Sequence, residues 1–133
     1  MAKKLLYLNR RAPHGSIYAA ESLEVVLIGA AFDQDVSMAF VDDGVFQLLP
    51  GQDTAGLEIK NFTPAFGALG DYDVTKLYVE QESLATRGLE LSDLQQLTYE
   101  DEDDDWAVKS SLNLVSRQQL AQLLEAQDVV FNF

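Results

Sequence analysis

The stretch "DVSMAFVDDGVFQLLPG", residues 35–51, decides how this chain is read. Residues 35–41 form an apolar run of strand length with no helical period, which predicts a buried β-strand. Asp42-Asp43-Gly44 breaks the run, and a second apolar cluster, Phe46–Leu49, predicts a short helix stopped by Pro50-Gly51. In a parallel sheet this strand end lies where α/β proteins place ligands. Asp42 and Asp43 are therefore candidate site residues. As an acid–base or metal pair they need a base, an acid or a cation close by. As a turn, the aspartates cap the following helix and Gly44 supplies a positive φ.

The same reading extends in both directions. Lys4–Asn9 has strand length, Arg10–Gly15 is a loop punctuated by Pro13 and Gly15, and Ser16 is placed to cap a helix over Ile17–Phe32. Residues 53–70, with Pro64, Gly67 and Gly70, allow only a short or irregular helix. Val74–Val79 is a third strand, and Gln81–Arg87 a short helix ended by Gly88. Ser111–Val115 is a fourth strand. Ser116 caps a helix through Ala126 with Leu120, Leu123 and Leu124 on one face, and Val129–Phe133 is the last strand. Strands alternating with helices predict a single α/β domain whose mostly parallel sheet is covered on both faces.

Charge narrows the function classes. The chain has 133 residues and a net charge of −13, from 22 acids against 9 lysines and arginines. A direct grip on nucleic acid needs a basic face, and an anionic membrane surface repels this composition. A basic protein partner suits it. Cysteine is absent, which removes disulfides, thiolate metal ligands and cysteine nucleophiles. Behind Lys3 and Lys4 only Leu5-Leu6-Tyr7-Leu8 is apolar, too short for a signal peptide or a spanning helix, so a cytoplasmic protein is expected.

The remaining candidates are sparse. His14, the only histidine, sits in the Arg10–Gly15 loop at the same predicted sheet edge. It is either a general base without an evident nucleophile or a loop residue held by hydrogen bonds. Neither a nucleotide-binding glycine pattern nor metal-ligand spacing is present, so no cofactor and no metal are expected. The run EDEDDD, residues 100–105, lacks the alternating acids, central glycine and closing glutamate of a calcium loop and reads as a solvated acidic loop. One oddity lies in the first helix. Val25–Phe32 contains no polar residue, whereas a helix covering a sheet normally shows water a polar side. Burial against another subunit is the expectation, with Val25, Ile28, Ala31 and Phe32 as interface candidates.

Residues 12–15 (APHG), 42–52 (DDGVFQLLPGQ), 69–72 (LGDY) and 84–88 (LATRG), in this order and spacing, resemble the DsrE/DsrF-like sulfur-relay family, and within it the DsrF/TusC type of subunit. The resemblance implies a three-layer α/β/α fold. It also implies a heterohexamer with two copies each of three related subunits, DsrE, DsrF and DsrH or TusD, TusC and TusB. Such a complex passes persulfide sulfur between carrier proteins, for intracellular sulfur oxidation or for 2-thiolation of the tRNA wobble uridine. Its catalytic cysteine belongs to the DsrE/TusD subunit, after the third strand. The matching place here follows Leu77-Tyr78-Val79, precedes Arg87-Gly88, and holds Glu80. A carboxylate cannot carry a sulfane sulfur, which needs a thiolate. The resemblance thus implies a non-catalytic subunit partnered by DsrE/TusD-like and DsrH/TusB-like sisters, while the apolar Val25–Phe32 run predicts self-association or poor solubility of the isolated chain. The rival reading is a stand-alone α/β enzyme or ligand-binding protein using His14, Asp42 and Asp43.

Overall fold

In the computed structural model, residues 3–12, 18–31, 34–50 and 63–133 are described, the side chains of 18–20, 31, 63–65, 68 and 71 excepted. Five parallel strands form the main sheet: β1 (Lys4–Asn9), β2 (Asp35–Phe40), β3 (Lys76–Glu80), β6 (Leu112–Val115) and β7 (Val129–Asn132). Their spatial order is β6-β3-β2-β1-β7. The chain therefore steps outward from β1 to β6 and then crosses back to place β7 on the opposite edge. Between them lie α1 (Tyr18–Ala31), 3-10 helices over Asp42–Leu48 and Thr63–Tyr72, α2 (Gln81–Thr86) and α3 (Arg117–Glu125).

The reversal after β6 divides the core. On one face α1, the 3-10 segments and α2 bury Leu23, Val26, Met38, Phe40, Phe66 and Leu77 in a large cluster. On the other face α3 covers a smaller one, with Leu120 set against Leu6, Ala39, Val41 and Val115. Alternation along the strands does this sorting: Tyr7 faces the large cluster and its neighbour Leu6 the small one. Fully burying each such aliphatic side chain stabilises the fold by about 1.5–3 kcal/mol.

Two local expectations change. The acidic run is not a loop without secondary structure. Thr98–Asp101 is strand β4, Glu102–Asp104 a 3-10 turn and Ala107–Ser110 strand β5, paired antiparallel as a separate two-stranded sheet. The run stays largely exposed, but Lys109 holds it: its ammonium lies 2.5 Å from Asp101 Oδ2 and 3.1 Å from Asp104 Oδ2. That contact keeps the Asp101 carboxyl below its ordinary range and pushes Lys109 upward.

The turn at Asp42-Asp43-Gly44 is also built differently. The 3-10 helix begins at Asp42 directly, its N-terminus has no side-chain cap, and the positive φ (51°) belongs to Asp42 rather than to Gly44. Aspartate tolerates that conformation better than most residues. Gly44 is needed for space: a Cβ there would lie 1.9 Å from the carbonyl oxygen of Asn9. That oxygen also accepts the Val41 N–H at 3.0 Å, so the ends of β1 and β2 meet over a glycine.

In α1, Leu23 and Val26 are buried, while Val25 and Ile28 face outward at 37% and 59% exposure, beside Glu21 and Glu24. Among the described residues, the helix is therefore covered on one side. The Ala31 side chain, Phe32, His14 and the predicted Ser16 cap lie outside the described residues. Among the described residues, no helix is long and apolar enough to cross a membrane.

Candidate functional site

The C-terminal edge of the sheet carries one continuous polar network, centred on the last residue of β3. Glu80 is buried, only 5% exposed, because it points to the α3 side of the sheet just where β3 turns into α2. It precedes the helix yet does not cap its backbone. Its Oε1 instead accepts from the Ser83 hydroxyl at 2.7 Å and from the Arg117 guanidinium at 3.0 Å, while Arg117 Nε reaches Oε2 at 3.4 Å. Ser83, itself buried, accepts the Asp42 N–H at 2.8 Å. The strained residue at the end of β2 is thereby tied through Ser83 and Glu80 to the first residue of α3.

Arg117 reaches this place because α3 starts firmly. Ser116 and Gln119 form a reciprocal capping box, with Gln119 N–H to Ser116 Oγ at 3.1 Å and Ser116 N–H to Gln119 Oε1 at 2.8 Å. The Arg117 N–H, one of the free donors of that first turn, goes to Glu82 Oε2 at 2.6 Å. Asp43 has its own partner. Arg87 donates to Asp43 Oδ1 from Nε at 3.1 Å and anchors NH1 on the Ser83 carbonyl at 3.1 Å.

Beside the network lies an open hollow of about 390 Å³, lined by Leu8, Val41, Asp42, Glu80, Arg117 and Leu120 among others. Its chemistry is limited. Burial pushes the Glu80 carboxyl upward, but the hydrogen bonds from Arg117 and Ser83 and the charges of Arg117 and Arg87 outweigh that and hold it below the ordinary glutamate value. Glu80 is thus ionised near neutral pH, already satisfied, and suited neither to donating a proton nor to accepting one in catalysis. Arg117 is held in its charged state by the same contact.

Of the sequence-derived candidates, the structure brings Asp42, Asp43 and Glu80 to one sheet edge. It makes Asp42 a strained backbone corner and Asp43 an ion-pair partner of Arg87. Among the described residues no group of three or more acidic or histidine side chains could hold a metal ion. Sequence reasoning missed Arg117 and Ser83. The one available signal was an arginine placed directly after the Ser116 cap, 37 residues from its partner.

The fold is a parallel α/β domain whose sheet edge carries a carboxylate held by Ser83 and Arg117. The chain belongs to the DsrE/DsrF-like family, whose profile matches residues 3–133. It is similar to the intracellular sulfur oxidation protein DsrF of Allochromatium vinosum, 48% identical over 133 residues, which cover 100% of this chain and 98% of that protein. A TusC homologue of Vibrio parahaemolyticus is 41% identical over 91 residues, 68% of this chain and 77% of its own. One from Pseudomonas aeruginosa is 44% identical over 89 residues, 67% and 75% of the two chains. The crystal structure of the ychN protein from E. coli superposes with a TM-score of 0.73, covering 98% of this chain and 99% of that one; at 19% identity the likeness concerns the fold. The likeness to DsrF thus runs along the full chain and that to the TusC homologues along about two thirds of it.

Proposed function

We propose that this protein is a non-catalytic subunit of a sulfur-relay complex, cytoplasmic and built with DsrE/TusD-like and DsrH/TusB-like sisters, that passes persulfide sulfur between carrier proteins. The observation that carries the reading is Glu80. At the end of β3, directly before α2, the family resemblance places the thiolate of the catalytic subunit, and this chain has there a carboxylate locked by Arg117 and Ser83. With no cysteine anywhere in the sequence, sulfane sulfur has no side chain to occupy. What such a subunit contributes is surface. Val25 and Ile28 on the outer side of α1 are apolar and exposed, as a sister-binding face requires.

Between the two pathways, similarity favours sulfur oxidation. The likeness to DsrF spans all 133 residues and so includes the acidic hairpin, whereas the TusC likenesses span 91 and 89. The test is to co-express the chain with DsrE-like and DsrH-like sisters, load the complex from a persulfidated donor, and measure the intact mass of each subunit. Added sulfur is expected on a sister and none on this chain. A stoichiometric gain of sulfur here, or a complex that loads equally well without this chain, overturns the reading.

A further inference from the structure

The β4–β5 hairpin takes part neither in the sheet-edge network nor in the α1 face. Its register sets Glu100 opposite Val108 and Asp101 opposite Ala107, and side chains alternate between its two faces. One face carries the Lys109–Asp101 pair that holds the ribbon together. The other carries Val108, 69% exposed, and Trp106, 59% exposed. Trp106 and Val108 line a hollow of about 470 Å³ with Gly70, Asp73, Thr98 and Glu100 among its other walls. Tyr72, the chain neighbour of Asp73, is 52% exposed as well. A tryptophan and a valine left in water on one face of the hairpin, with Tyr72 exposed at the end of the 3-10 helix Thr63–Tyr72, are apolar surface of the kind that marks a binding site.

Charge identifies the occupant. Glu100 and Asp73 line the hollow itself, the rest of the acidic run follows Glu100 in the chain, and the hairpin's own cation, Lys109, is engaged by Asp101 and Asp104. Nucleic acid and anionic membrane are repelled there. A second copy of this chain, with its net charge of −13, would bring like charge to like charge. A cationic segment fits both halves of the surface: an arginine or lysine stem lies over the Trp106 ring while its charged end meets the acids. We propose that the Trp106–Val108 face of the hairpin docks a basic segment of a partner protein, with Trp106 as its apolar anchor and Glu100 and Asp73 as its charge partners. This surface is independent of the α1 face and of the relay reading.

Trp106 is the only tryptophan in the chain, so its fluorescence reports the site directly. The full chain is titrated with a synthetic decapeptide of arginines interspersed with leucines, and with a second peptide carrying glutamates in place of the arginines. A saturable change in Trp106 emission is expected with the first peptide alone, weakening as salt shortens the reach of the charges. Glu100→Lys is expected to weaken binding about tenfold. Trp106→Ala, read by calorimetry, is expected to weaken it by at least as much, as truncation of an aromatic anchor does. Glu125→Lys, which makes the same charge change on an exposed residue of α3, is expected to leave affinity within about twofold. Circular dichroism of each variant separates lost binding from lost fold. Equal weakening by Glu125→Lys and Glu100→Lys would overturn the proposal in favour of diffuse charge attraction. Concentration-dependent self-association that Trp106→Ala abolishes would overturn it in favour of a second copy, and an unchanged emission would overturn it outright.

Discussion

Two regions of this molecule place acidic side chains in opposite surroundings and use them in opposite ways. At the end of β3 a single carboxylate, Glu80, is buried and engaged by two donors, and it joins β2, β3 and α3. On the β4–β5 hairpin six acids are consecutive, five of them facing water with Asp101 partly buried, and one lysine organises two of them. The difference is burial. A desolvated carboxylate must be fully satisfied, and every partner it acquires becomes part of the fold. An exposed acid is screened by water and salt, shapes the outer field, and leaves the core indifferent to its loss. One region therefore settles what the domain is, and the other what it attracts.

The largest way to break the first region is steric. Gly44→Ala drives a methyl group into the backbone of Asn9, where a Cβ has 1.9 Å, and backbone cannot rotate aside as a side chain does. A loss on the order of 3 kcal/mol is expected, measured by urea unfolding. A cost within the noise of an ordinary surface substitution would show that the strand ends do not meet so closely.

Next comes Glu80→Ala, which leaves the buried Ser83 hydroxyl without its acceptor and Arg117 without its partner. About 1–2 kcal/mol is expected, toward the low end for a buried hydrogen-bonded charge because Arg117 is largely in water. Asp103→Ala on the hairpin provides the contrast and should leave the unfolding midpoint unchanged. Similar losses in the two variants would erase the distinction between the regions.

The acid limb sharpens the comparison further. Glu80 is held below its ordinary value of 4.5 in the folded chain, so its contribution is fully present above the unfolded value and is lost as pH falls through the folded one. Glu80→Gln should therefore cost stability near neutral pH and make the curve flatter below about pH 4.5. Thermal unfolding across that range in both proteins checks it, and parallel curves would count against a depressed Glu80. The smallest effect belongs to Lys109→Ala. It should reduce hydrogen-exchange protection within β4 and β5 while the main sheet keeps its own. Loss of protection in β3 or β6 would mean that the hairpin supports the domain after all.

The sequence displays these two regions unequally. All five strands of the main sheet, α1, α2 and α3 are legible from apolar runs, from the Ser116 cap and from Gly88, which adopts the positive φ (68°) expected of a residue after a helix. The hairpin is not, because a run of like charges reads as solvated chain until Lys109 is known to lie across from it, eight residues beyond Asp101. The role of Gly44 is equally hidden. A glycine after two aspartates suggests a left-handed turn, whereas the reason for it is a carbonyl 35 residues earlier in the chain. Glu80 could be located by family resemblance, but its partner Arg117 could not, since an ion pair 37 residues apart leaves no local pattern. Non-local contacts account for most of what was missed; Ser83, three residues after Glu80, is the local exception.

The measurement that tests the proposed role most directly is light scattering of the purified chain, alone and co-expressed with DsrE-like and DsrH-like sisters. Burying a standard interface share of about 800 Å² on each partner, somewhat over half of it apolar, supplies a gross term on the order of 10 kcal/mol per side, against association costs of about 4–15 kcal/mol. That suffices for a lasting complex through the α1 face. A single particle containing all three subunits is expected, and Ile28→Asp, which places a charge on that exposed face, should release this chain from it. A well-behaved monomer that elutes apart from both sisters, with Ile28→Asp making no difference, would contradict the assignment.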